Sequence, residues 1–185
     1  METGDNEWVQ DIQTQTARLA ALTNDLICLS KMEEEEVQAK RIEFPLSDAV
    51  RETAESFQTL AKTRGRTLLI HVEPMLSYVG DEKALCQLVE ILIDNALKYS
   101  REGDTVPLTL ERQGRFIRMA VENGVENMDK DVVDNMFDRF YRADRARASD
   151  GGGHGIGLSI AQAVVSAHRG KISAAVNAGR LTMTV

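Results

Sequence analysis

The first pattern along the chain is helical. Trp8, Ile12, Gln15, Leu19, Leu22, Leu26 and Leu29 step by alternating fours and threes. That is the spacing of a coiled coil or four-helix bundle with one polar position at Gln15, and it predicts a long helix over about residues 7–35. A lone helix of this kind cannot bury its stripe, so it packs either on another helix or on the rest of the chain. The acidic run Glu33 to Glu36 ends the pattern as a solvated helix end and linker.

From Arg41 the period changes. Ile42 and Phe44 alternate before Pro45 stops a short strand. Ser47 and Asp48 read as the N-cap of a helix running to about Arg64, with Val50, Ala54, Phe57 and Leu60 as its buried stripe and Gly65 as its stop. Leu68, Ile70 and Val72 alternate as a strand closed by Pro74, and Tyr78 with Val79 forms another. Asp81 caps a helix reaching about Tyr99, whose wide apolar face of Leu85, Leu88, Val89, Leu92 and Ala96 makes it central. Strands near 105–111 and 115–122 meet at Gln113-Gly114. A short helix near 129–136 precedes the polar stretch Arg142 to Asp150 and a glycine run. That run opens a helix carrying Ile160, Ala163, Val164 and Ala167, and Lys171–Val176 with Arg180–Val185 reads as a last hairpin. One bundle-type helix, then three main helices against a mixed sheet, is a two-layer α/β sandwich. Val185 falls inside a strand pattern, so the natural protein is expected to continue beyond it.

Composition narrows the function classes. The 185 residues include 22 Lys and Arg against 29 Asp and Glu, a net charge of −7. An acidic chain lacks the basic surface that nucleic-acid binding needs to displace counterions. With 43% hydrophobic and 5% aromatic residues, the core must be mostly aliphatic. Cys28 and Cys86 both sit in apolar helical patterns and read as reduced thiols. No apolar run reaches the ~20 residues that span a bilayer.

Two stretches carry candidate chemistry. Five glycines lie between Gly151 and Gly157, directly before an apolar helix. Glycines let backbone N–H groups approach a phosphate, and a helix N-terminus adds positive partial charge. The dinucleotide fingerprint and the phosphate-loop lysine are both absent, so the run taken alone is either an anion site or a connector. The second stretch is Asp94-Asn95-Ala96-Leu97-Lys98-Tyr99-Ser100. Asn95, Lys98 and Tyr99 share one helix face, where an amide oxygen, a cation and a ring could meet a nucleotide, or simply end a helix in water.

Together these stretches resemble one family, the ATP-binding domain of bacterial sensor histidine kinases, within the gyrase, Hsp90, histidine kinase and MutL ATPase (GHKL) superfamily. The matching segments are LVEILIDNALKYS (88–100), FDRFYRAD (137–144) and GGHGIGLSIA (152–161), in the family's order and spacing, and AVVSAHRGKISA also looks similar. The likeness covers about residues 40–185. Residues 1–36 resemble the second helix of that family's dimerisation and phosphotransfer hairpin, leaving 37–185 as the catalytic domain.

The resemblance implies a Bergerat-type ATP fold, a mixed sheet under three helices with the nucleotide beneath a lid. It implies ATP and Mg²⁺ as ligands, with Asn95 on the metal, Lys98 at the phosphates and Tyr99 flanking the nucleotide. Phe137 and Phe140 would anchor a lid spanning about Arg142 to Gly153, and Arg139 and Arg142 are candidate phosphate contacts. Gly153, His154, Gly155, Ile156, Gly157 and Leu158 would line the phosphates, and Asn123 would read adenine. It further implies a response regulator as partner and a homodimer formed through the first helix. The longer protein would be membrane-anchored with this portion in the cytoplasm.

Three departures stand out. The family's adenine box, Asp-x-Gly-x-Gly, is matched by Asn123-Gly124-Val125-Glu126-Asn127. Asn can still accept through its amide oxygen but without charge assistance, and the lost glycines add Cβ atoms, with Gly124 one residue early. The residue four before Asn95, an expected metal ligand, is Ile91. His71, His154 and His168 lie in no acceptor motif, so the phosphorylated histidine is expected upstream of Met1. Two readings follow: a catalytic portion of a sensor histidine kinase, or a degenerate kinase domain that scaffolds a partner.

Overall fold

The computed structural model describes residues 41–126, 128–141 and 155–185, together with Trp8, Val9, Ile12, Thr16 and Thr23. Those five N-terminal residues are helical, and Trp8 and Ile12 are exposed. Gln15 and the four leucines of the expected stripe lie outside the described residues, as do Cys28 and the acidic run.

Period-two alternation builds the sheet. Val106, Leu108 and Leu110 of β4 (Thr105–Gln113), Met119 and Val121 of β5 (Phe116–Gly124), and Leu181 and Met183 of β7 (Arg180–Thr184) turn the same way and are buried. With β2 (Thr67–Val72) and β6 (Ser173–Asn177) they form a five-stranded sheet ordered β2-β4-β5-β7-β6. β2 runs parallel to β4, with Leu68 opposite Val106, and every other pairing is antiparallel. The parallel pair requires a crossover. It is supplied by β3 (Ser77–Gly80) and α3 (Glu82–Tyr99). β3 also pairs with β1 (Ile42–Pro45) as a separate antiparallel ribbon, where Phe44 meets Tyr78 edge to face at 6.5 Å.

Helices cover one side of the sheet, and the short α4 (Lys130–Asn135), with no buried residue, follows β5. α3 is central, with Leu88, Leu92, Ile93, Ala96 and Leu97 all buried, and it packs against both α1 (Leu46–Ser56) and α5 (Gly157–Ala167). Asp81 caps α3 as expected, its Oδ1 accepting from Ala84 N at 3.1 Å. The three-helix mixed sandwich is therefore the observed fold.

The helix expected over 47–64 differs. It starts at Leu46, breaks at Phe57 and resumes as α2 (Gln58–Thr63), where the buried residue is Ala61 rather than Leu60. Ser47 is not a cap. Its hydroxyl donates to Glu73 O at 2.6 Å and accepts from Leu76 N at 2.9 Å. Those bonds satisfy the backbone of the β2–β3 connection, which a local capping argument cannot foresee. Gly65, with φ +66°, turns the chain after α2 as expected.

Candidate functional site

Three element ends converge. The last turns of α3 carry Asn95, Lys98 and Tyr99, the end of β5 carries Asn123 and Gly124, and α5 begins at Gly157. α3 and α5 are close here because Gly157 faces Ile91, one turn before Asn95; a Cβ on Gly157 would lie 3.6 Å from Ile91 Cγ2. Arg101, just past α3, donates to Val125 O at 3.0 Å and ties the end of α3 to the strand end.

Asn95 and Lys98 are half-buried, while Tyr99 is exposed with the Lys98 ammonium 5.4 Å from its ring centre. Helical spacing thus places amide, cation and ring on one face, as the sequence predicts. Phe137 packs half-buried on the core next to buried Met136, but Phe140 remains 61% exposed. Phe140 holds a left-handed φ of +63° and its N–H donates to Gly155 O at 2.9 Å. Gly155 itself has φ +72°, a conformation glycine adopts without strain. Ile156 is fully buried, so only its backbone could meet a ligand; Leu158 is half-buried against the core. Arg142, Gly153 and His154, and Asn127 of the adenine box, lie outside the described residues.

Asn123 is fully buried and lies on the core face of β5, opposite Leu181. Its Nδ2 donates to Gly124 O at 3.0 Å, and its Oδ1 is a buried atom with no hydrogen-bond partner among the described residues. A buried acceptor left unpaired costs about 1–3 kcal/mol, so this oxygen is the local chemistry most in need of an external donor. An adenine amino group fits that need. Val125 is buried in the core, its N–H donating to Gly179 O at 2.9 Å. Its Cβ therefore points into packing rather than into open space.

Around this strand end lies a charge cluster the sequence reading missed. Asp104 Oδ2 accepts from Gly124 N at 2.6 Å, and Arg180 bonds Glu122, Asp104 Oδ1 at 3.3 Å and Thr105 O at 2.9 Å. The hydrogen bond to Glu122 is the main reason Arg180 is held above its ordinary value, working against the partial burial that lowers it. Alternating charges near turns look like ordinary solvated surface, which is why no sequence signal marked them. Among the described residues no cluster of three His, Cys, Asp or Glu side chains could hold a metal. Asn95 offers one hard oxygen of the kind Mg²⁺ takes beside phosphate oxygens, and Ile91 offers none.

Other features sort as structure. A cavity of about 470 Å³ between α1, α3, α5 and the β4–β5 turn is lined by Leu46, Leu85, Leu88 and Phe116, at the end of the core away from Asn95 and Asn123. His168 joins elements, with Nδ1 2.8 Å from Val164 O and Nε2 accepting from Asp81 N at 3.0 Å. His71 is exposed on β2, and Cys86 is a free, half-buried thiol. No described helix is long and apolar enough to cross a membrane.

Comparisons with known proteins agree with this geometry. Residues 80–185 match the family model of histidine kinase-, DNA gyrase B- and HSP90-like ATPases. The sensor protein DltS of Streptococcus agalactiae is 31% identical over 169 residues, covering 91% of this chain and 42% of the relative. The chain thus spans less than half of that relative's length. Among solved structures, the histidine kinase AdeS of Acinetobacter baumannii aligns with TM-score 0.77 at 19% identity, covering 95% of this chain and 81% of the other. Full-length ShkA, in complex with AMPPNP, aligns with TM-score 0.79 at 19% identity over 97% of this chain and 38% of that one. The match over the segment that holds α3, β5 and α5 is the decisive one, and the chain belongs to the histidine kinase-, DNA gyrase B- and HSP90-like ATPases, as a catalytic domain of the sensor histidine kinase type.

Proposed function

We propose that this chain is the nucleotide-binding and phosphoryl-donating portion of a sensor histidine kinase. The observation that carries the reading is the fully buried Oδ1 of Asn123, without a partner among the described residues, at the strand end that Arg101 ties to the end of α3. Asn123 accepts from the adenine amino group. Asn95 contributes an oxygen to Mg²⁺, Lys98 neutralises phosphate charge, and Tyr99 flanks the nucleotide. Backbone N–H groups of Gly155 to Leu158, at the N-terminus of α5, donate to phosphate oxygens, and the family resemblance assigns Gly153, His154 and Arg142 to the same task. The ligand set is therefore Mg-ATP, a reading supported also by the nucleotide analogue bound to the structural relative ShkA.

The γ-phosphoryl passes to a histidine imidazole nitrogen on a segment outside this chain; the P–O bond to the β-phosphate breaks and ADP leaves. The role of the residues here is positioning and charge stabilisation. The phosphoryl then moves to a response-regulator aspartate. Residues 1–36 supply the second helix of a dimerisation hairpin, and the longer protein is a membrane-anchored homodimer with this portion in the cytoplasm. A scaffold without turnover is the second reading. Ile91 and buried Val125 favour it, because both occupy family site positions with apolar packing.

Thermal unfolding with and without Mg-ADP tests the proposal. At 100 times Kd a ligand that binds only the native state adds about 2.7 kcal/mol, worth about 5–11 °C for a chain of this size. A rise that disappears with EDTA supports the kinase site. No rise at millimolar nucleotide refutes it and leaves the scaffold.

A further inference from the structure

The asparagine at 123 creates a requirement that an aspartate there would not have. Both oxygens of a carboxylate accept, so either rotation presents the same chemistry. A carboxamide has one accepting and one donating end. Adenine offers an amino donor at its six position, and guanine offers a carbonyl acceptor at the same place. Which base is read therefore depends on which end of the Asn123 amide points to the ligand.

The structure holds the donating end away from that role. Asn123 Nδ2 is committed to Gly124 O at 3.0 Å, leaving Oδ1 as the unpaired atom. Gly124 has no Cβ to restrict its dihedrals, so hydrogen bonds on both flanking peptides must fix where its carbonyl points. On one side Gly124 N donates to Asp104 Oδ2 at 2.6 Å, and on the other Val125 N donates to Gly179 O at 2.9 Å. Asp104 is itself fixed by Thr105 N at 2.8 Å and by Arg180, which reaches across from β7 where it pairs with Gly124. The fit is mutual, because a Cβ on Gly124 would lie 2.8 Å from Asp104 Oδ2. Strand alternation puts Glu122 and Arg180 on the sheet face opposite Asn123, so the cluster acts from behind the site.

We infer that Asp104, backed by Arg180, is a positioning residue that locks the Asn123 carboxamide with its oxygen inward, and so sets selectivity for adenine over guanine nucleotides. This rests on the adenine reading of Asn123 made above.

The test compares Mg-ADP and Mg-GDP affinities by calorimetry on the whole chain, for the wild type, Asp104→Ala and Asp104→Asn, and for the same changes in an Asn123→Asp background. The wild type prefers ADP. Asp104→Ala lowers that preference about tenfold, the scale of one hydrogen bond. Asp104→Asn, which keeps an acceptor for Gly124 N, retains most of it. In the Asn123→Asp background the preference no longer depends on residue 104, because a carboxylate has no donating end. An unchanged ratio in Asp104→Ala overturns the inference, as does an equal drop in the Asn123→Asp background, which a merely structural role would give. If Asp104→Ala fails to fold, as judged by thermal unfolding without nucleotide, Arg180→Met carries the same comparison and a smaller drop is expected. A wild type that binds neither nucleotide removes the adenine reading and this inference with it. A wild type that prefers ADP with a ratio indifferent to residues 104 and 180 removes the inference alone.

Discussion

Replacing Asn123 with leucine should stabilise the empty chain and weaken the stabilisation that nucleotide adds. The side chains share the same branched outline of four heavy atoms, and the site is fully buried. Leucine removes an acceptor that has no partner, a relief of about 1–3 kcal/mol. It also removes the Nδ2 bond to Gly124 O, a loss of about 1 kcal/mol. The empty variant should therefore be more stable by about 0–2 kcal/mol, and its midpoint higher by up to about 8 °C at 2–4 °C per kcal/mol. With nucleotide the order narrows or inverts, since the variant has no atom to receive the adenine amino group and its affinity falls about tenfold or more. Differential scanning fluorimetry across an ADP series at fixed Mg²⁺ reads both effects. A variant that is clearly less stable when empty yet shows the full wild-type nucleotide shift would refute the assignment of Oδ1 as the base-reading atom.

Asn95→Ala should leave the midpoint without nucleotide within about 2 °C, as a half-buried polar change on a helix, and abolish the Mg²⁺-dependent part of the ADP shift; an undiminished Mg²⁺ effect places the metal elsewhere. Gly80→Ala forces a Cβ to 2.8 Å from both the His168 and Tyr78 rings, and should destabilise by about 1–3 kcal/mol in urea titrations; His168→Ala in the same chain should recover part of that loss. Arg180 is raised above its ordinary value, and a raised cation contributes stability that is full below its unfolded value and lost only as pH rises through the folded one. Denaturant midpoints between about pH 6 and 10 should therefore show the same profile for wild type and Arg180→Met, and a step present only in the wild type would contradict the assignment.

Local chemistry was legible in the sequence where both partners lie within a turn or two. The Asp81 cap, the glycine turn at 65, the strand alternation of Leu68, Ile70 and Val72, and the shared face of Asn95, Lys98 and Tyr99 all rest on spacing alone. Ser47 was misread because its partners, Glu73 and Leu76, are brought in by a different strand pair. The break at Phe57 had no glycine or proline to announce it. At the site, resemblance to the kinase motifs located Asn123, but neither its bare oxygen nor the cluster behind it could be read. Asp104, Glu122, Gly124 and Arg180 meet only once β4, β5 and β7 lie side by side.

The strand order has a kinetic consequence. The β4–β5 and β6–β7 hairpins pair residues close in sequence and need little chain closure. The β2–β4 and β5–β7 ladders join distant segments and carry most of the loop entropy, so they are expected to zip late. The last rungs of β5–β7, Asn123 with Leu181 and Gly124 with Arg180, are the ones that build the wall proposed above to read the base. A ligand gripping that wall binds something absent from the folding transition state. It should leave the refolding arm of a chevron plot where it is and move only the unfolding arm, so that nucleotide governs how long the domain stays folded rather than how quickly it forms.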